Sequence, residues 1–459
     1  MSVMRKPLHP ACVMILYWSA ILLIYFLGPI SLTPGLSFLG ALFLLSHILL
    51  FITGSTVPLI LLYKKKSVAQ NLTSYNDGHL GGQLICTLLF IGVIGGVFSI
   101  ADKFADLAGL GLMSTSKLRT LKAQSLLHGG EAHSSILSAM AFIFYPAGFV
   151  GLVTGTLRYE HISRFVRLLL YLFVVIIFGV AILAGGRSPI MLLLLFVGIS
   201  CYMRTAVGNP FMPRSRTLRW GTVVLLLTFM VYSSIIWTVR SAEANKNTAQ
   251  YLQHAASVWG ATPNDYLVAT SAWLNRPGLT FSVLGPVFYL TQNLSITEKI
   301  LAEPDDIPTM YGSYHIDLFA AVLRRIPEEA SLLNDGYETL LRADIYGYFT
   351  GAWGALFIDY GYFSLVAAML WGGCAGISWV SFKNNPSLLS STFYVFWIYS
   401  IMISFATPPF GFSNSFMVFV WFVVFYLMSE VLSVFLERLK ARVPIFSPRD
   451  YSGQVKVDT

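Results

Sequence analysis

The segment RSAEANKNTAQYLQHAASVWGATPNDYLVATSAWLNRPG, residues 240–278, decides how the rest of the chain is read. It follows almost directly on the apolar run WGTVVLLLTFMVYSSIIWT at 220–238 and opens a polar, Arg- and Tyr-bearing stretch that lasts to residue 345. A bundle of membrane spans has no structural need for roughly a hundred polar residues in one connection, so the chemistry is expected there.

Outside that stretch the composition is that of a membrane protein. Hydrophobic residues make up 56% and charged residues 11%, and the mean hydropathy of +0.68 leaves too little polar surface for a soluble domain. Apolar runs near the ~18 residues that cross ~30 Å of hydrocarbon fall at 11–30, 36–58, 82–100, 134–156, 166–184, 188–203, 220–238, 352–380, 391–408 and 414–435. They are continuous rather than alternating, which excludes barrel strands. The sequence therefore predicts an all-α polytopic membrane protein of about ten transmembrane helices, up to roughly twelve if the long loop crosses twice. A large external loop with short and re-entrant helices completes it. The first run follows Arg5 and Lys6 but lacks a small-residue cleavage site, so it is read as a retained span.

Basic residues predict the orientation, because they collect in cytoplasmic loops. Arg5, Lys6, Lys64, Lys65, Lys66, Arg158, Arg164, Arg167, Arg204, Arg214, Arg216, Arg219, Lys383, Arg438, Lys440, Arg442, Arg449 and Lys456 fall on one side, and most acids on the other. Both termini are then cytoplasmic, 101–133 and 239–351 are external, and 437–459 is a cytoplasmic tail. The whole chain, 1–459, reads as one integral membrane domain. The net charge of +8 reports topology and gives no reason to expect nucleic acid as a partner. Cys12, Cys86, Cys201 and Cys374 lie in apolar runs, so neither a disulfide framework nor a metal cluster is expected. There is no phosphate-loop motif and no cytoplasmic segment long enough for a nucleotide domain, and no cofactor is expected.

Within the loop, 278–294 is apolar but broken by Gly285 and Pro286, which predicts a re-entrant or interfacial helix pair. An amphipathic helix is predicted from His315 to Arg325, with Leu318, Ala321, Val322 and Arg325 at helical spacing, after a turn at Pro304 to Asp306. Internal repeats are not visible, which disfavours transporters built from duplicated halves.

The candidate chemistry rests on arginines. A guanidinium grips a diphosphate with two parallel charge-assisted hydrogen bonds and keeps its proton. Arg187, in Gly185-Gly186-Arg187-Ser188 between two spans, is the sharpest case; its plain reading is a headgroup anchor. Arg324 and Arg325 either bind phosphate or pair with Glu328 and Glu329. Arg240 opens the loop and Arg119 lies in the first external segment. For proton transfer, His315 in Tyr311-Gly312-Ser313-Tyr314-His315 sits among aromatic and small residues of the kind found at sugar sites, and a neutral imidazole suits a general base. Asp359 falls inside an apolar run, where a carboxylate is either catalytic or the buried partner of an arginine.

The segment Tyr346-Gly347-Tyr348-Phe349-Thr350-Gly351-Ala352-Trp353-Gly354, leading into Phe357-Ile358-Asp359-Tyr360-Gly361-Tyr362-Phe363, resembles the stretch after the large periplasmic loop in bacterial oligosaccharide repeat unit polymerases, the Wzy-type O-antigen and capsule polymerases. Span number, the external segment at 101–133, the Gly-Gly-Arg turn and the loop at 240–345 extend the resemblance loosely over most of the chain. Some members carry an Arg and a Gly separated by ten residues in their outer loops. Arg119 with Gly130 and Arg325 with Gly336 fit that spacing, whereas Arg240, Arg276 and Arg342 do not.

The resemblance implies glycosyl transfer at the periplasmic face of the bacterial inner membrane, without nucleotide sugar or metal. The growing chain on undecaprenyl diphosphate is the donor, and the acceptor is a single lipid-linked unit whose sugar hydroxyl attacks the anomeric carbon. Arg119, Arg187, Arg240, Arg324 and Arg325 would hold the leaving diphosphate, His315 or Asp359 would take the hydroxyl proton, and Tyr311, Tyr314, Tyr346 and Tyr348 would contact sugar. The implied partners are the undecaprenyl-diphosphate-linked oligosaccharide, membrane lipids, a chain-length regulator and a flippase of the same pathway. Two other readings stay open. An O-antigen ligase would share the arginine-lined loop and differ in acceptor, and a polysaccharide or lipid-linked-oligosaccharide exporter would carry more ionisable residues through its spans than His47 and Asp359.

Overall fold

A computed structural model of the chain describes residues 7–63, 78–108, 135–184, 186–213, 248–275, 278–302, 307–347, 349–411 and 414–442, with isolated positions 221, 223, 227, 228, 231 and 304. The helices are α1 (Pro10–Leu27), α2 (Phe38–Leu62), α3 (Gly78–Ala108), α4 (Ile136–Phe144), α5 (Ala147–Leu157), α6 (Arg164–Leu183), α7 (Ser188–Ala206), α8 (Thr248–Val258), α9 (Asp265–Trp273), α10 (Gly278–Ala302), α11 (Asp317–Leu323), α12 (Pro327–Arg342), α13 (Gly351–Tyr360), α14 (Ser364–Asn384), α15 (Leu388–Met402) and α16 (Ser415–Arg442). Among the described residues, seven helical segments are long and apolar enough to cross a membrane: Pro10–Leu27, Phe38–Leu62, Gly81–Ala105, Ile136–Leu157, Arg164–Leu183, Ser188–Ala206 and Gly351–Asn384. Leu388–Met402 and Ser415–Val431 are apolar but shorter. The run at 220–238 falls almost wholly outside the described residues.

Glycines set how closely the helices approach. Gly372 and Gly376 of α14 lie one turn apart against α2: a Cβ on Gly372 would sit 2.0 Å from the Phe51 carbonyl oxygen, and one on Gly376 would sit 2.3 Å from that of Ser55. Gly54 of α2 returns the contact against the Met369 carbonyl. Small residues at four-residue spacing let two backbones touch where apolar burial gives no driving force between helices in lipid. At the far end of α7, the buried guanidinium of Arg204 donates to the carbonyls of Thr156 (2.9 Å) and Pro210 (3.1 Å) and to the Glu160 carboxylate (2.5 Å).

The segment expected as one span at 352–380, counted above within the single apolar segment Gly351–Asn384, is a helical hairpin whose second arm, the 21-residue α14, is the part with the length to cross. Trp353 and Trp371 are eighteen residues apart, a separation of about 27 Å in a straight helix, yet their ring centroids lie 5.3 Å apart. The ten-residue α13 therefore doubles back on α14 through the turn Gly361–Phe363, where Gly361 takes φ 56°. Every residue of α13 from Gly351 to Asp359 is buried. Conversely, 278–294 forms no helix pair: α10 runs unbroken through Pro286 to Ala302. Proline in a helix interior removes the hydrogen bond to the carbonyl four residues before it, and α10 continues through that single loss. The returning short helix thus lies one segment later than the sequence suggested.

The long segment is anchored to the bundle by a two-stranded antiparallel sheet. β1 (Ile30–Leu32), in the α1–α2 connection, pairs with β2 (Ala261–Pro263). Asn264 reinforces it by donating to the Gly28 carbonyl at 2.8 Å. A second core of Ile296, Ile300, Met310, Leu340, Ile345 and Ile358 binds α10, α12 and α13 together beneath the region of His315.

Candidate functional site

The two residues proposed for proton transfer, 44 positions apart, form one unit. Asp359 is fully buried at the end of α13 and His315 is 6% exposed. The chain from Met310 to Ile316 wraps the α13 terminus: the Met310 N–H donates to the Ile358 carbonyl, and that of Tyr311 to the Asp359 carbonyl. The carboxylate then receives the backbone N–H groups of Gly312 (2.8 Å) and Tyr314 (2.9 Å) on Oδ1 and of His315 (3.2 Å) on Oδ2. Oδ2 also hydrogen-bonds His315 Nδ1. Positive φ at Tyr311 (50°) and Gly312 (90°) turns successive N–H groups inward, a nest that an oxygen anion fills. Of the two readings of Asp359, the arginine partner is not what the structure shows: among the described residues its side-chain partner is His315.

This arrangement fixes the imidazole. Both carboxylate oxygens accept backbone hydrogen bonds, so Nδ1 is the ring nitrogen that donates to Asp359, and in a neutral imidazole so held Nε2 is the nitrogen with the lone pair. His315 lines a cavity of about 590 Å³ between the α13–α14 turn, α15, α16 and Pro408-Pro409-Phe410, whose remaining walls are almost wholly apolar. Gly411 permits the approach of that proline turn, because a Cβ there would lie 3.0 Å from the His315 carbonyl.

Tyr314 is also part of the unit. Its hydroxyl hydrogen-bonds the side chain of Thr350, the residue before α13. Burial, with a further push from the Asp359 carboxylate, holds this phenol well above its ordinary range despite the Thr350 bond, so it stays protonated at any physiological pH.

Two of the arginines connect to the unit through tyrosines. The Arg187 guanidinium lies 5.2 Å from the ring centroid of Tyr289 on α10. Tyr289 packs on Phe349, beside Thr350, at 5.6 Å. The Arg324 guanidinium lies 5.7 Å from the ring of Tyr337 on α12, whose hydroxyl donates to the Ser313 carbonyl inside the His315 turn. Tyr346 meets the same Tyr337 ring edge-on at 5.4 Å.

Other expected side chains stand apart. Arg325 is exposed, just beyond α11, and Tyr311 is 76% exposed. The helix expected from His315 to Arg325 is the shorter α11, Asp317–Leu323, so His315 precedes it and both arginines follow it. Arg119, Arg240 and Tyr348 lie outside the described residues.

Sequence reading passed over Tyr289, Tyr337 and the polar face of α10. Thr291, Gln292, Asn293, Ser295 and Thr297 of α10 are all buried. Asn293 donates to the Phe405 carbonyl at 2.7 Å, while its buried Oδ1 has no hydrogen-bond partner among the described residues. Gly351, at φ 68°, is seated on it, with room for a Cβ only 2.9 Å from that of Asn293. The signal was present as TQNLSIT at 291–297, a polar run too dense for a lipid-facing helix. Compared with protein-family models, curated proteins and solved structures, the chain matches none.

Proposed function

We propose that the protein is a membrane glycosyltransferase that polymerises lipid-linked oligosaccharide repeat units of a surface polysaccharide. The observation that carries this reading is the buried Asp359–His315 pair at the wall of an apolar cavity. A carboxylate that orients Nδ1–H and leaves Nε2 as acceptor is the arrangement by which a neutral imidazole takes a proton from an attacking hydroxyl. The apolar walls beside it suit the polyprenyl part of a lipid-borne substrate.

In this mechanism His315 Nε2 takes the proton as the acceptor sugar hydroxyl forms its bond to the anomeric carbon of the donor chain. The bond from that carbon to the undecaprenyl diphosphate oxygen breaks, and the charge that develops on the leaving group is met by Arg187 and Arg324. Asp359 positions the base and stabilises the imidazolium. Tyr314 and Tyr346 line the approach of the sugar. The full proposal places this chemistry at the periplasmic face of the bacterial inner membrane, in a chain of about ten spans with both termini cytoplasmic, as the distribution of basic residues supports. A chain-length regulator and a flippase of the same pathway are its proposed partners.

Deletion of the gene, complemented by wild type or His315→Gln at matched expression, tests the reading on a gel of surface polysaccharide. The polymerase reading predicts that the deletion and the variant leave single units where wild type gives a ladder. Normal-length polymer retained on the carrier lipid would instead identify a ligase, and unchanged polysaccharide would remove both.

A further inference from the structure

One face of α14 lines a cleft along its whole length. Phe363, Leu370 and Cys374 border the cavity that holds His315, and Cys374, Ile377, Ser381 and Asn385 border a second cavity of about 700 Å³ at the opposite end of the helix. These positions recur at helical spacing over 21 residues of helix, a rise of about 30 Å. The two cavities share Cys374, Trp397 and Phe419.

The ends of this cleft differ in chemistry. The second cavity carries the 5%-exposed Arg158. Arg158 reaches this position because Gly81 of α3 has no side chain: a Cβ there would lie 2.3 Å from its Nη1. The same cavity takes in the hydroxyls of Ser378 and Ser381 and the first residues of α15, where Ser387 and Ser390 form a capping box. An N-terminus of a 15-residue helix adds partial positive charge to that of the guanidinium. Glu430 of α16 also borders this cavity but is exposed, at its rim.

We propose that this end of the cleft binds one anionic phospholipid, with its phosphate on Arg158 and the α15 N-terminus and an acyl chain running along α14 toward Cys374, Trp397 and Phe419. The site lies at the end of α14 remote from His315, and the proposal stands independently of the catalytic one. A charge-bearing pocket that opens into an apolar trough of half-membrane length matches a phosphodiester amphiphile in both parts.

The test uses the full-length protein in neutral detergent with Cys374 as its only cysteine, the other three replaced by alanine. N-ethylmaleimide labelling of Cys374 is timed by mass spectrometry with added phosphatidylglycerol, phosphatidylcholine or inorganic phosphate. Phosphatidylglycerol at several times its dissociation constant is expected to slow labelling about five-fold, with little effect from the other two. Arg158→Gln and, as a variant that retains the arginine but displaces its guanidinium, Gly81→Ala should each abolish the preference for phosphatidylglycerol. Equal protection by phosphatidylcholine, protection by inorganic phosphate alone, no protection, or a preference retained in Gly81→Ala would each overturn the proposal.

Discussion

The carboxylate of Asp359 holds the imidazole of His315 and, with it, the backbone of the turn that carries His315. Three backbone N–H groups and Nδ1 converge on two oxygens inside a fully buried site. Asp359→Asn replaces one acceptor oxygen with a donor, sets it against those N–H groups and favours the wrong tautomer of His315. Polymerisation should fall by about 10³–10⁴-fold, and the unsatisfied donors should cost about 1–3 kcal/mol of stability. A labelled-product assay together with thermal unfolding in detergent measures both. Wild-type turnover in Asp359→Asn would show that the pair serves packing alone.

His315→Gln separates chemistry from architecture. Glutamine retains a polar side chain for Asp359 but supplies no base, so folding should survive while turnover drops by about 10²–10⁴-fold. Size-exclusion behaviour and melting temperature close to wild type, with activity lost, are the expected pair of results.

Arg187 is expected to act on the leaving group. Arg187→Ala should lower turnover by about 10²–10³-fold, and Arg187→Lys should recover only part of it, because an ammonium lacks the planar fork and stacks less well on Tyr289. Tyr289→Phe keeps the ring and should be near neutral. A kcat that falls while KM holds would locate the contact in the transition state. Equal activity of Arg187→Ala and wild type would return this residue to the role of headgroup anchor.

Arg204 and Glu160 predict a stability effect far from this chemistry. Burial raises the Glu160 carboxyl, but the hydrogen bond and charge of Arg204 outweigh it and hold it below its ordinary 4.5. A carboxyl lowered by folding contributes stability that is fully present above its unfolded value and is lost as pH falls through the folded one. Thermal midpoints should therefore decline below pH about 4.5 with a smaller slope in Glu160→Gln than in wild type. Arg204→Ala strips the Thr156 and Pro210 carbonyls of their donor and should destabilise by about 1–3 kcal/mol at neutral pH, since the Glu160 carboxylate it leaves behind reaches solvent.

The helical bundle was legible because each apolar run carries its own signal, and the boundaries of α1, α2, α6 and α7 fall within a few residues of those runs. The hairpin of α13 and α14 was not. An apolar run reads the same whether it continues or turns back, and only Gly361 marks the reversal, as one glycine among several. Pro286 misled in the opposite direction, since α10 continues through it while packed against α1, α2, α9 and α13, which local propensity does not contain. His315 and Asp359 stood out singly as rare ionisable groups in apolar or aromatic surroundings. Their union depends on the fold-back of α13, which is tertiary information. Tyr289 and Tyr337 gave no local signal because tyrosine is common throughout the loop.

The most direct test of the central claim is turnover by the purified protein alone. A chemically prepared undecaprenyl-diphosphate-linked repeat unit, given to the protein in detergent or nanodiscs, should be converted to a ladder of longer lipid-linked chains with release of undecaprenyl diphosphate. His315→Gln and Asp359→Asn should release none above background. Chain extension that proceeds equally in His315→Gln, or a folded wild-type protein that extends nothing, would contradict the account.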